Sequence, residues 1–134
     1  MRDRPAPEEL LQGARAVLDR DIAPCLQGRA RFAAIMVSRA MSVAARAIAN
    51  GDAPLRAEAQ RLAALLGRSP TTALAPQALS VVVQDLNRVL TQRIRNGDFD
   101  GGDTGQRLYD HLRQVTLDKL SESNPKYFEK DKAE

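Results

Sequence analysis

The sequence predicts an all-α fold, a bundle of about five helices arranged around a central, mostly buried second helix. Three observations carry that reading. Ala, Leu and Arg dominate the composition, and all three are strong helix formers. Strand-favouring runs are nearly missing; Val81-Val82-Val83 is the one candidate, and it lies inside a longer helical pattern. Apolar residues recur at spacings of three and four between breaks marked by Pro and Gly. A chain of 134 residues fits one domain, 1–134, with residues 1–6 and 129–134 expected to fray. That length buries a core without disulfides or metal.

Helix one is expected from about Pro7 to Ala23. Pro7 suits the first helical position, and Glu8 and Glu9 suit the positive end of the helix dipole. Leu10, Leu11, Ala14, Val17, Leu18 and Ile22 share a face, and Pro24 ends or kinks the helix. Helix two is expected from Gly28 to Asn50, stopped by Gly51. Phe32, Met36, Val37, Ala40, Met41, Val43, Ala44, Ala47 and Ile48 cover more than half its circumference, which predicts neighbours on most sides. Its polar strip is Arg31, Ser38, Arg39, Ser42 and Arg46. Helix three, about Pro54 to Leu66, has a narrow stripe of Leu55, Ala59, Leu62 and Leu66 and reads as a surface bracket. Residues 67–76 carry two prolines and read as a loop. Helix four, about Pro76 to Asn96, presents Leu79, Val82, Val83, Leu86, Val89, Leu90 and Ile94. Helix five follows Asp103, which is spaced with Gln106 like a capping box, and ends at Asn124-Pro125. Its stripe is Leu108, Tyr109, Leu112, Val115, Thr116 and Leu120; Tyr127 and Phe128 are placed to dock beyond it.

Composition excludes several functions. One Cys and one His provide neither a disulfide nor a zinc constellation. No apolar run is expected to span a membrane, and Met-Arg-Asp-Arg-Pro opens no signal core, so the expected location is the cytoplasm. The net charge is only +3. It is polarised: residues 28–50 hold four arginines and no acid, while all four lysines lie at 119–132. Interspersed acids and scarce aromatics argue against nucleic acid as a partner. His111 and Cys25 have no visible catalytic partner, and Gly101-Gly102 lack the Lys-Ser/Thr of a phosphate loop. The loop Asp98-Phe-Asp100-Gly-Gly-Asp103 has Gly102 and Tyr109 where a calcium loop needs ligands. No catalytic residue, metal or cofactor is expected.

Three charges fall on apolar faces: Asp21 on helix one, Arg93 on helix four and Lys119 on helix five. A charge facing a core is costly unless paired. Either Asp21 pairs with Arg93, Lys119 or Arg29 across helices, or the cations snorkel from their helix ends, or the three line a ligand site, or the helical wheel is misphased. On helix two, Arg39, Ser42 and Arg46 align at i, i+3 and i+7. They form a solvated strip, or hold a phosphate, a carboxylate or an acidic partner surface.

The stretches LLQGARAVLDRDIAPCLQGRARFAAIMVSRAMSVAAR, LNRVLTQRIRNGDFD and LYDHLRQVTLDKLSESNPKY together resemble a bacterial domain-of-unknown-function family over roughly residues 4–128. The resemblance implies a short, stand-alone helical protein encoded beside aminoglycoside-phosphotransferase-like kinases and acyl-CoA dehydrogenases. It implies an accessory role near acyl-CoA metabolism and carries over no catalytic residue. The expected function is therefore a non-catalytic accessory protein with a kinase-like or acyl-CoA dehydrogenase-like partner. The alternative is a helical bundle that binds an anionic or acyl small molecule. An alanine-rich second helix also permits a homodimer.

Overall fold

A computed structural model describes residues 4–69 and 73–130. The fraying expected of residues 1–3 and 131–134 lies outside them, as does the middle of the expected 67–76 loop. The described residues are helical, without strands, and fall into two compact units.

Unit one comprises the chain to Gly51 together with Glu122–Pro125. Helix α1 spans Pro7–Val17. The Glu9 carboxylate accepts a 2.8 Å hydrogen bond from the Ala6 N–H, satisfying one of the helix's orphan donors. The expected helix to Ala23 continues, but its pitch changes: a π turn at Leu18–Ile22, then a 3-10 turn at Ala23–Cys25. Pro24 is the physical reason, because it has no N–H for the α ladder and crowds the preceding turn. Helix α2 spans Gly28–Asn50 and stops at Gly51, whose φ of 59° only glycine adopts readily. Helix α1 packs antiparallel on α2: Arg15 reaches Ser38, and Gln12 lies with Ala45 and Arg46.

The expected central burial of α2 is not found. Only Ala34, Ser38 and Ala45 are buried, and they lie on one side. On the remaining arc Phe32 is 63% exposed, Ile35 51% and Val37 47%. The small side chains at 34, 38 and 45 let α1 approach closely, and in this unit α1 covers only that side. Helix α1 buries no residue fully, and Leu10, Val17 and Ile22 stay exposed.

Unit two comprises Asp52–Ser121 with the chain from Lys126. Helix α3 spans Ala53–Leu66, α4 Pro76–Arg95, α5 Gly102–Ser123 and α6 Tyr127–Lys130. The core is the α3–α4 seam of Ala59, Leu62, Leu66, Leu79, Val83, Leu86 and Leu90, closed by Phe99 from the following loop. This corrects the reading of α3 as a bracket. Its stripe is narrow because one matching stripe on α4 covers it, with Ala59 and Ala63 permitting close approach.

The loop between α4 and α5 depends on two glycines. Gly97 has φ +83°, and a Cβ there would sit 2.8 Å from an Asp100 carboxylate oxygen. A Cβ on Gly105 would meet the Phe99 carbonyl at 2.9 Å. The expected capping box does not form. Helix α5 starts one residue before Asp103, and Gln106 instead donates to Asp110 at 2.9 Å.

The reversed roles of α2 and α3 are measurable by urea denaturation. Leu62→Ala, at a site with no solvent access, is expected to cost about 3 kcal/mol. Phe32→Ala is expected to cost under about 0.5 kcal/mol, as exposed positions do. Equal losses would contradict the burial described for α2.

Candidate functional site

Of the three charges expected on apolar faces, Asp21 belongs to unit one and Arg93 and Lys119 to unit two. Asp21 is exposed and takes its neighbour Arg20, through two hydrogen bonds of 2.8 and 2.9 Å. The Arg20 guanidinium holds the Asp21 carboxyl below the usual carboxylate range. The π turn rotates Asp21 off the α1 face predicted from a regular helix. Arg93 is half-buried, but its partner is Asp98 at 2.6 Å, and its guanidinium lies 5.5 Å from the Phe99 ring centre. It fastens the loop after α4 to that helix's end. Lys119 is exposed near the end of α5.

The polar strip of α2 lies partly inward, against α1. Arg15 donates to Ser38 at 3.2 Å and to Ser42 at 3.4 Å, and pairs with Asp19 at 3.4 Å. Arg46 donates to Ser42 at 2.6 Å and to the carbonyl of Glu122, whose carboxylate accepts from Asn50. Ser42 and Arg46 thus meet as expected, while Arg39 lies apart, exposed, with no hydrogen bond or ion pair among the described residues. Arg15 was missed by sequence reasoning; its spacing of four from Asp19 was the available signal. Gln12, Arg15, Ser42 and Arg46 line a cleft of about 180 Å³. Through Ser38, Ser42, Asp19 and the Glu122 carbonyl these guanidiniums tie α1, α2 and residue 122 together, so the cluster acts as an internal staple.

What α2 turns outward is apolar with a basic rim. Phe32, Met36, Val37, Ala40 and Ala44 are exposed on the arc away from Ala34, Ser38 and Ala45. Arg29 and Arg39 are exposed beside them, Arg31 is exposed on the strip of Ala34 and Ser38, and the helix has no acidic residue. By length and composition, Gly28–Asn50 is long and apolar enough to cross a membrane, contrary to the expectation from sequence. Arg39 lies at mid-helix, where a charge costs about 2.5–3.5 kcal/mol at a bilayer centre.

In unit two, α5 lies against α3 through polar contacts. Arg61 pairs with Asp118 at 3.0 Å, and Arg107 donates to the Ala64 carbonyl at 3.4 Å. His111 is buried at 4% exposure. Its Nδ1 and the Arg61 Nε have no protein hydrogen-bond partner among the described residues. Burial pushes the imidazole pKa down, Arg61 adds to the shift, and Glu58 opposes it. The expected α5 stripe is split: Leu108 packs on the core, while Tyr109 and Leu112 face outward.

His111 is the chain's one histidine, which makes its linkage to stability testable. The unfolded imidazole titrates near 6.5 and the folded one lower. Stability is therefore full above about pH 6.5 and falls as pH drops from there toward the folded value. Urea midpoints between pH 8 and 5 are expected to show that loss in the parent and not in His111→Leu. An identical slope in both proteins would rule the linkage out.

Among known proteins, the family described as Domain of unknown function (DUF6285) matches residues 24–127. No curated protein and no solved structure matches the chain. The matched span runs from the end of the first hairpin's turn through α2, the α3–α4 seam, α5 and the start of α6. With most of its length inside that span, the chain belongs to the DUF6285 family.

Proposed function

We propose that this protein is a non-catalytic interaction protein whose first hairpin is completed by a partner. The observation that carries this reading is the outward face of α2. Phe32, Ile35, Met36 and Val37 are each at least 40% exposed, on a helix whose buried residues, Ala34, Ser38 and Ala45, lie on one side. Monomeric proteins rarely expose contiguous apolar area of this kind without an interaction to make. An amphipathic helix laid along α2 would turn a two-helix hairpin into a three-helix bundle.

The rim specifies the partner's chemistry. Arg29 and Arg39 suit a partner with carboxylates flanking an apolar stripe. A second copy docking α2 on α2 would bring the same arginines together, which disfavours a homodimer. The family resemblance drawn from the sequence supplies the partner class: kinase-like or acyl-CoA dehydrogenase-like proteins, in an accessory role near acyl-CoA metabolism in a bacterial cytoplasm.

Co-expression with one kinase-like and one acyl-CoA dehydrogenase-like protein, followed by light scattering and titration calorimetry, tests this. A complex of fixed stoichiometry with one of them is expected. Phe32→Glu with Met36→Glu is expected to weaken it about 100-fold or more, the effect of losing two interface anchors. Salt is expected to weaken it further through the arginine rim. Binding to neither protein, equal binding by the double variant, or self-association alone would overturn the proposal.

A further inference from the structure

The groove between α5 and α6 is a second open surface, and it lies in unit two, so it stands or fails independently of the α2 face. Helix α5 uses Leu108, His111 and Asp118 toward α3 and the core. Its other side carries Tyr109, Leu112, Leu117 and Leu120. Helix α6 supplies the facing wall with Tyr127 and Phe128, whose rings meet edge to face at 5.6 Å. That pairing restrains both rotamers and gives the groove a defined wall. The volume is about 590 Å³, inside the range of about 300–1,000 Å³ usual for small-molecule sites.

Its polar groups are few. The Thr116 hydroxyl is committed to the Leu112 carbonyl at 2.8 Å. What remains is the Arg113 guanidinium, exposed and without a hydrogen bond or ion pair among the described residues, and the two tyrosine hydroxyls. Among the described residues no carboxylate lines the groove. Apolar walls with one unspent guanidinium suit a ligand with an apolar body and a single anionic head. We infer that this groove binds a free amphipathic carboxylate, with its alkyl or aryl body against Leu112, Leu120 and Phe128 and its head on Arg113.

The chain has two tyrosines and no tryptophan, and both tyrosines line the groove. Intrinsic tyrosine fluorescence is therefore a reporter confined to this site. Titration with dodecanoate below its micellar concentration is expected to change that fluorescence saturably. Dodecyltrimethylammonium is expected to bind at least about tenfold more weakly, because its head repels Arg113. Arg113→Gln, an exposed substitution that leaves the core untouched, is expected to weaken dodecanoate about tenfold, the loss of one charge-assisted contact. The same variant is expected to leave dodecyl maltoside within about twofold, since that probe lacks the charge. Leu120→Asn, checked by circular dichroism for retained helicity, is expected to weaken every alkyl probe. No saturable change with dodecanoate, equal affinity for the cationic probe, or unchanged binding by Arg113→Gln would overturn the assignment. So would a larger response to phosphatidylglycerol vesicles than to the free carboxylate, which would make the groove a lipid-surface contact.

Discussion

Leu62 and Leu79 meet on the α3–α4 seam with no solvent access, and the rest of unit two is fastened around them. A fully buried leucine contributes about 1.5–3 kcal/mol. The Arg61–Asp118 pair, about a third exposed on each side, contributes about 1 kcal/mol or less. The seam therefore holds the unit, and the polar contacts orient what is laid on it. Phe99 closes one end, which is why the loop carrying it needs Gly97 to turn and Gly105 to let the backbone pass. Helix α5 is placed by Leu108, His111 and Asp118, and that choice of side leaves Tyr109 and Leu112 facing solvent.

Unit one is built in the opposite sense. Its helix contact is lined by alanine and serine and stitched by Arg15 and Arg46, while its larger apolar side chains point away from it. Small residues bring two helices close but bury little apolar area, so the hairpin draws little stability from the hydrophobic effect. A surface of this kind gains most from a further helix. This is the physical basis for reading the protein as one half of an assembly, and the absence of acid on α2 sets the sign of what fits there.

The two open surfaces differ in chemistry. The α2 face is long, convex and rimmed by arginines, matched to a protein helix. The α5–α6 groove is short, walled by aromatic rings and equipped with one guanidinium, matched to a small amphiphile. Membership of a family whose function is unknown adds no residue roles to either, so both rest on exposure, charge and shape.

Much of the secondary structure was legible in the residues themselves. Pro7, Pro54 and Pro76 open helices, Gly51 and Gly67 close them, and α2 and α4 fall within a residue of their expected ends. These signals are local: a missing N–H or a positive φ acts wherever the residue sits. The candidate site was less legible. Ser42 and Arg46 do meet directly, but the third member of the cluster, Arg15, comes from 27 positions before Ser42. Asp21 changed direction because a π turn displaced the regular wheel on which it had been placed. The sequence by itself determined where helices run and which residues share a face. Which face each helix covers was decided by tertiary structure alone, because burial depends on the neighbour: α3's narrow stripe found an equal on α4, and within unit one α2 met α1 across its small-residue edge.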